Sequence, residues 1–291
     1  MDRPRLILLV GIPGAGKTTY AKKCISPLED SIYLSSDLIR AELYRDESIQ
    51  GDPSEVFSLM QKRAIEALNN GQSVIYDATN VTRKDRACII SQCPKFAKIE
   101  AHIVWAPIET CIERDASRER TVGKAVIDKM LKRFQAPYYD EGINEIKVIM
   151  PDDFNQTEYE LKMLDAMEIP HDNPHHTLSV IEHCYQAYKY ADYTLDAGGD
   201  VYLAAEIHDI GKPYVKAFVD SKGNPSEIAH FYQHQCVGAW LSYGISGITP
   251  FRAWLISTHM DPYLNTKYYN RLPAYLKTQV DLLHEADRAA H

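Results

Sequence analysis

The sequence predicts an α/β half, a parallel sheet flanked by helices, followed by an all-α half. Five apolar or β-branched runs (6–10, 32–35, 73–76, 99–105 and 146–150) alternate with amphipathic helical stretches such as 53–69 and 108–117. That alternation builds a parallel sheet with helices on both faces. After residue 150 strand patterns give way to helical candidates at 177–193, 200–207, 230–243, 250–259 and 274–290, joined by Gly/Pro/Asn loops. Composition changes at the same place. Residues 1–150 carry a net charge of +1 and residues 151–291 a net of −9, and ten of the eleven histidines lie after residue 170.

The 291 residues suffice for one large or two ordinary domains. A hydrophobic content of 45% and a charged content of 25% are those of a globular protein in water. No apolar run approaches a membrane span, and Asp2-Arg3-Pro4-Arg5 leads straight into the first apolar run, so neither a membrane segment nor a signal peptide is expected. The six cysteines are scattered without a C-x-x-C, which fits free thiols in a cytoplasmic setting. The acidic balance argues against extensive non-specific duplex binding and leaves room for a local site on one nucleic-acid end.

Taken in order, the first strand runs into Gly11-Ile12-Pro13-Gly14-Ala15-Gly16-Lys17-Thr18 and then a helix over 18–24. This is G-x-x-x-x-G-K-[ST] between strand and helix, the pattern of a phosphate-binding loop. Backbone N–H groups of Gly11, Gly14, Ala15 and Gly16 would turn inward onto phosphate oxygens, and Thr18 and Thr19 open the helix whose N-terminus favours an anion. Lys17 would reach the β/γ-phosphates and Thr18 would hold Mg²⁺, so ATP/Mg²⁺ is the expected cofactor. Asp37 follows the second strand and Asp77 ends the third, at the carboxyl ends where such sheets place their chemistry. One carboxylate there can take a proton from an attacking hydroxyl; the other can orient the first, hold the Mg²⁺ water shell or fix the acceptor. From Arg114 to Arg133 there are seven basic and three acidic residues. Arg114 and Arg118 are i,i+4 and would share a face of a helical lid, neutralising charge on a transferred phosphoryl group. A break rich in Pro, Asp and Asn follows, with a short helix over 156–167. The expected organisation is therefore a first domain at 1–152, a linker with a short helix at 153–173, and a second domain at 174–291.

The order of loop, Asp37-x-x-Arg40, Asp77-x-Thr79-Asn80 and Arg114-x-x-x-Arg118 resembles the P-loop 5′-hydroxyl polynucleotide kinases of end-healing enzymes. The resemblance covers nearly all of residues 1–150, including a closing segment from Val126 through Asp140-Glu141-Gly142 to Ile146. It implies that Asp37 is the general base for a 5′-OH, that Arg40 contacts the phosphate of the acceptor strand, and that Arg118, with Arg114 beside it, contacts ATP phosphates. Gly123 stands where many relatives have proline, a departure expected to loosen the lid. Small-molecule kinases share much of this pattern.

The histidines of the second half fall in recurrent settings: His183 within a helical run, the adjacent pair His208-Asp209 in Ile207-His208-Asp209-Ile210-Gly211-Lys212, then His234, His259 and Asp287. Imidazole and carboxylate on several helices can converge on Mn, Fe, Co, Ni or Zn, and an apolar helix ending in His-Asp is costly to bury unpaired. The order His…His-Asp…His…His…Asp resembles the HD-domain metal phosphohydrolases over nearly all of 174–291. By that resemblance His183, His208, Asp209 and Asp287 hold a first metal, His234 and His259 add a second, and Lys212 contacts substrate phosphate. His175, His176 and His230 match no ligand position and would contact substrate or cap helices; His171, His284 and His291 read as surface residues.

The pairing resembles the bifunctional HD-domain polynucleotide kinases, a P-loop kinase domain followed here by an all-α HD domain. It implies phosphorylation of 5′-OH ends and removal of a 2′,3′-cyclic phosphate or 2′-phosphate from 3′ ends, with single-stranded RNA or DNA ends as partners. The alternative is a nucleoside or sugar kinase fused to a nucleotide phosphohydrolase. A third reading, a nucleotide-sensing switch gating the second domain, has no need of the Asp37/Arg40 pair.

Overall fold

A computed structural model describes residues 3–25, 30–45, 49, 51–174 and 177–290. It divides into two compact units, residues 1–128 with 137–152, and residues 129–136 with 153–291.

The first unit runs β1 (Arg5–Val10), α1 (Lys17–Ile25), β2 (Ser31–Ser35), α2 (Ser36–Tyr44), α3 (Pro53–Asn69), β3 (Ser73–Asp77), α4 (Arg83–Ile90), β4 (Lys98–Val104), α5 (Ile108–Ala116), the start of α6 (Lys124–Leu131) and β5 (Glu145–Ile149). All five strands are parallel, in the order β2-β3-β1-β4-β5. β1 is central because Leu6 to Val10 is apolar on both faces, and all five side chains are buried. β3 lies on one side of β1 and β4 on the other, so the chain order switches at the carboxyl end of β1, where the glycine loop begins. The register sets Asp77 opposite both Leu9 and Ser35, which brings the end of β3 beside that loop. The fully buried Arg86 braces the same edge: two of its nitrogens donate to the Glu141 carboxylate at 2.7 and 2.6 Å, and a third donates to the Asn80 carbonyl at 2.9 Å.

The second unit contains α7 (Gln156–Met167), α8 (Val180–Lys189), α9 (Gly199–Ala205), α10 (Lys212–Val215), β6 (Ala217–Val219), β7 (Pro225–His230), α11 (His234–Ser242), α12 (Pro250–Thr258), α13 (Asp261–Leu264), α14 (Thr266–Tyr269) and α15 (Ala274–Ala289). Its core is built on Trp240, Trp254, Leu255 and Leu283, all fully buried. The segment 153–173, expected as a linker, is part of this unit. Tyr159, Met163 and Met167 recur every four residues along one face of α7 and are buried, and the Tyr159 hydroxyl donates to the Leu241 carbonyl at 3.0 Å. Residues 129–136 also belong here, with Phe134 edge-on to Trp240 at 5.3 Å.

The second unit is not all-α. β6 and β7 form an antiparallel hairpin around a turn in which Asp220 accepts from the N–H groups of Lys222 and Asn224, both at 2.8 Å. Asp-Ser-Lys-Gly-Asn is turn chemistry, and the strands it joins are too short and polar to read as strands. His230, expected in a helix, closes β7; α11 begins only at His234, after Gln233 takes a left-handed conformation with φ +66°. Among the described residues no helix is long and apolar enough to cross a membrane, and Cys88, Cys93, Cys111, Cys184 and Cys236 are free thiols.

Candidate functional site

The glycine loop leaves β1 and wraps onto the start of α1. Gly14 has φ +81°, and a Cβ there would stand 2.0 Å from the Cys111 carbonyl oxygen, so only glycine fits. Ala15 is buried, while Thr18 and Thr19 are exposed on the first turn of α1. Lys17 Nζ folds back to donate to the carbonyls of Gly11 (2.9 Å) and Ile12 (3.0 Å). Burial pushes the Lys17 ammonium below its usual range, against the pull of the neighbouring Asp77. A phosphate placed in the loop would offer this cation a full negative charge in place of two carbonyl dipoles.

Asp77 and Thr18 are brought together: Thr18 Oγ1 donates to Asp77 Oδ2 at 3.2 Å. A partner not expected from the sequence joins them. The Tyr33 hydroxyl, from β2, donates to the same Oδ2 at 2.6 Å. The only signal for it was alternation along β2, with Tyr33 two residues from Ser35, which is paired with Asp77 in register. Asn80 of the Asp-x-Thr-Asn segment is structural: its buried side-chain amide donates to the Leu9 carbonyl at 2.8 Å.

Asp37 lies in the first turn of α2, whose N-cap Ser35 accepts from the Asp37 N–H at 3.2 Å. Its carboxylate is exposed and pairs with Arg40 at 2.7 Å. Arg120 approaches the same Oδ1 at 4.0 Å. The sequence does not single out Arg120; it assigns Arg118 to ATP phosphates on a helical lid, but α5 ends at Ala116 and Arg118 and Arg120 sit in the following loop. The cause is the buried Asp115, whose carboxylate turns the chain back by accepting from Val122 N–H (3.1 Å) and Gly123 N–H (2.9 Å). Gly123, at φ +84°, therefore anchors the loop rather than loosening it; proline could neither donate that bond nor adopt that φ. Arg114 remains on α5, its Nη1 near Gly16 of the loop, and Arg118 lies close enough for its charge to oppose that of Lys17.

In the second unit the expected ligands converge. His183, His208, Asp209 and Asp287 have ligand atoms all within 4.8 Å of one another, and Asp209, His234 and His259 form a second such group. They come from α8, the turn after α9, the start of α11, the end of α12 and α15. Each imidazole is oriented the same way. Nδ1 of His183 faces the Ala290 carbonyl (2.8 Å), that of His208 the Ala205 carbonyl (2.7 Å), that of His234 the Phe231 carbonyl (2.9 Å) and that of His259 the Ile256 carbonyl (2.8 Å). A carbonyl only accepts, so each Nδ1 carries a proton and each Nε2 is turned inward, where it could serve as a ligand once deprotonated. Burial, with His234 and His208 beside it, pushes His259 down to about 3. The Asp209 carboxylate is shared: Oδ1 lies 3.2 Å from His234, Oδ2 3.4 Å from His183 and 3.3 Å from His208. Oδ2 is buried with no aligned hydrogen bond, though Lys212 Nζ stands 2.5 Å away. Four inward-turned Nε2 atoms and two carboxylates, one of them shared, fit one or two divalent transition metals.

Lys212 is buried against Asp209 and is also held by His171 Nε2 at 3.0 Å and the Phe231 ring at 5.4 Å. His171, expected at the surface, is thus buried behind the site, its Nδ1 on the Leu178 carbonyl at 2.8 Å. His284 is half-buried and pairs with Tyr263, and His230 stacks on Tyr232 at 5.3 Å. His175, His176 and His291 lie outside the described residues.

Comparison with known proteins gives matches to part of the chain. The transcription factor bHLH140 of Arabidopsis thaliana is 27% identical over 148 residues, covering 48% of this chain and 15% of that protein. The L-seryl-tRNA(Sec) kinase of Methanococcus maripaludis is 31% identical over 141 residues, covering 45% of this chain and 53% of that enzyme. The chain thus spans at most about half the length of these curated relatives. A chain in the structure of the Pnkp1/Rnl/Hen1 RNA repair complex is 25% identical, with 46% of this chain and 44% of that one covered and a TM-score of 0.41. Residues 6–137, a little under half of the chain, match the family described as AAA domain.

Proposed function

We propose that the chain heals broken nucleic-acid ends, the first unit phosphorylating a 5′-OH and the second removing a 2′,3′-cyclic phosphate or 2′-phosphate from a 3′ end. The observation that carries the kinase half is Asp37, an exposed carboxylate beside the phosphate-binding loop with two guanidinium groups around it. In that arrangement Asp37 accepts the proton of the attacking hydroxyl. Arg40 and Arg120 receive an acceptor that brings its own phosphate, and Lys17 follows the transferred group. Exposure of Asp37 suits an acceptor too large to be enclosed. The relative whose name gives an acceptor attached to tRNA supports the same reading.

In the second unit, the cluster of His183, His208, Asp209, His234, His259 and Asp287 would hold the metal, which supplies Lewis acidity to a phosphoester when bound. The chain's own part is to fix every Nε2 by its Nδ1 bond, to share Asp209 between the two groups of ligands, and to keep the Lys212 cation beside the phosphoryl oxygens.

The test is an RNA carrying both a 5′-OH and a 2′,3′-cyclic phosphate. Label should pass from the γ-phosphate of ATP to the 5′ end, and the cyclic phosphate should open and leave when Mn²⁺, Co²⁺ or Ni²⁺ is supplied. Lys17→Ala should abolish only the first reaction and Asp209→Ala only the second. Good transfer to a free nucleoside with none to the oligonucleotide would replace this reading with the small-molecule kinase. No transfer to any hydroxyl would leave a nucleotide-sensing switch.

A further inference from the structure

Lys212 is buried at the edge of the metal cluster, and what aims its ammonium does not belong to that cluster. Nζ stands 2.5 Å from Asp209 Oδ2, yet that oxygen has no aligned hydrogen bond. Attraction between the two charges sets their separation and leaves the direction of the N–H groups open. Among the described residues, the hydrogen bond that Nζ does make is to His171 Nε2, at 3.0 Å. An ammonium only donates, so His171 accepts there. The Leu178 carbonyl, 2.8 Å from Nδ1, only accepts, so the ring carries its proton on Nδ1 and keeps a lone pair on Nε2 for Lys212.

His171 can give direction because it is itself fixed. It is fully buried, edge-on to His183 at 5.5 Å and to Phe231 at 5.8 Å. The backbone around it is tied to the start of α8. The Val180 N–H donates to the Ile169 carbonyl at 3.0 Å, and Pro170 and Ser179 form an antiparallel bridge. Asp172, the next residue, pairs with Lys216 at 2.7 Å. α8 also carries His183, so the ring refers the head of Lys212 to the helix that positions a cluster histidine. Asp209 gives no such independent hold. Its Oδ2, which faces Lys212, also faces His183 and His208 and belongs to both groups of candidate ligands. His171 belongs to neither group, so its bond to Lys212 does not compete with a metal.

We infer that His171 is a positioning residue: it takes one N–H of the Lys212 ammonium and so leaves the other two for the phosphate oxygens of a substrate at the metal cluster. This rests on reading the cluster as a phosphohydrolase site. His171 acts through Lys212 and has no part in the bond changes.

Two substitutions separate the ring nitrogens. Asparagine puts a donor where Nδ1 stands and keeps the bond to Leu178, but is too short to reach Lys212. Glutamine reaches the Nε2 position and keeps the acceptor for Lys212. Both are made in the Mn²⁺-loaded full chain. Calorimetry with inorganic phosphate reads binding apart from turnover, and kcat and KM are measured for adenosine 2′,3′-cyclic phosphate. His171→Asn should weaken phosphate binding and lower kcat/KM by about tenfold, the scale of one hydrogen bond to a charged group, and His171→Gln by no more than about threefold. On a Lys212→Met background His171→Asn should cost nothing further, because no ammonium is left to aim. If His171→Asn does not fold, His171→Phe, which keeps the packing of the ring and loses both nitrogens, takes its place in the cycle. A purely structural His171 gives the opposite pattern: glutamine the worse variant, and the same loss with or without Lys212. Either result, or unchanged phosphate binding in His171→Asn, would overturn the inference while hydrolysis by the wild type leaves the phosphohydrolase reading standing. If the wild type hydrolyses no phosphoester but phosphate affinities follow the expected order, the hydrolase reading falls and the positioning of Lys212 toward a bound phosphate stands.

Discussion

Replacing Tyr33 by phenylalanine should impair the use of Mg²⁺ by the first unit without unfolding it. Asp77 Oδ2 has two donors, the Tyr33 hydroxyl at 2.6 Å and the Thr18 hydroxyl at 3.2 Å. The shorter bond is to an anionic acceptor, and burial together with Asp77 keeps the Tyr33 hydroxyl protonated far above its ordinary range. A hydrogen bond to a charged group contributes roughly 1.5–3 kcal/mol. Tyr33 is half-buried, and water can replace part of that bond, so the lower end of the range applies. About 1.5 kcal/mol is close to a factor of ten. Phenylalanine keeps the ring and its packing. The expected outcome is a Mg²⁺ requirement raised about tenfold at saturating ATP, with ATP binding in the absence of metal unchanged. Thr18→Ala, which removes the other donor and the direct magnesium contact, should be worse. Initial rates of ATP turnover across a Mg²⁺ titration measure both. A Tyr33→Phe titration that superimposes on the wild type while Thr18→Ala shifts would refute the role given to Tyr33.

Gly14→Ala should abolish ATP binding by distorting the loop, because its Cβ would overlap the Cys111 carbonyl and the residue would sit at φ +81°; isothermal titration with ATP checks it. Left-handed backbone alone costs roughly 1–2 kcal/mol. Removing metal with a strong chelator should lower the thermal midpoint of the second unit by about 5–10 °C, since a ligand at a hundred times its Kd stabilises by about 2.7 kcal/mol. Calorimetry of chelated and reloaded protein, with the metal counted by elemental analysis, reads this directly; an unchanged midpoint with no bound metal would remove the metal. The first unit should lose stability in acid through Glu100. Hydrogen bonds from His102 and then Lys98, with Lys147 nearby, hold its folded pKa well below the ordinary 4.5. A depressed folded pKa contributes stability that is complete above about 4.5 and is lost as pH falls below it. Thermal midpoints between pH 6 and pH 3 should fall in the wild type and fall less in Glu100→Gln, which starts lower at pH 6.

Much of both sites could be read from the sequence because their motifs are local. Loop, lysine and threonine occupy eight consecutive residues, and the apolar run of β1 fixes where they emerge. The metal ligands lie far apart, but each is a histidine or aspartate at the end or on the inner face of a helix, in a half of the chain where strands are scarce. What escaped was set by tertiary contacts. Arg118 and Arg120 have the same chemistry, and only the end of α5, imposed by the Asp115 carboxylate on the backbone of Val122 and Gly123, decides which approaches Asp37. His171 looked like a surface residue because it stands among prolines and acids. It is buried because Lys212 and the Leu178 carbonyl take up its two ring nitrogens. Tyr33 left no motif, since its partner is 44 residues away on the neighbouring strand.

A kinase and a phosphohydrolase in one chain would cancel each other on a single phosphate, so the two sites have to differ in what they accept. The difference is visible in how each meets solvent. At the loop, the Asp37 carboxylate is exposed with Arg40 and Arg120 beside it, so under the proposed function an acceptor end approaches from outside and need only present a hydroxyl. In the second unit the cluster is buried among four imidazoles and Lys212, and Asp287, at 19% side-chain exposure, is its most open member, ahead of His234 at 10%. Under the proposed function a phosphate must reach these buried groups. A 5′-phosphate on a continuing strand and a phosphate bridging the last two hydroxyls of a 3′ end offer different surroundings to such a cluster. The net charge of −9 on the second half is no obstacle to this. Two of its acids are turned inward on the cluster, and the Lys212 ammonium stands against one of them, Asp209. Under the proposed function, selection between the ends would rest on how each reacting group is enclosed, more than on the overall charge of either unit.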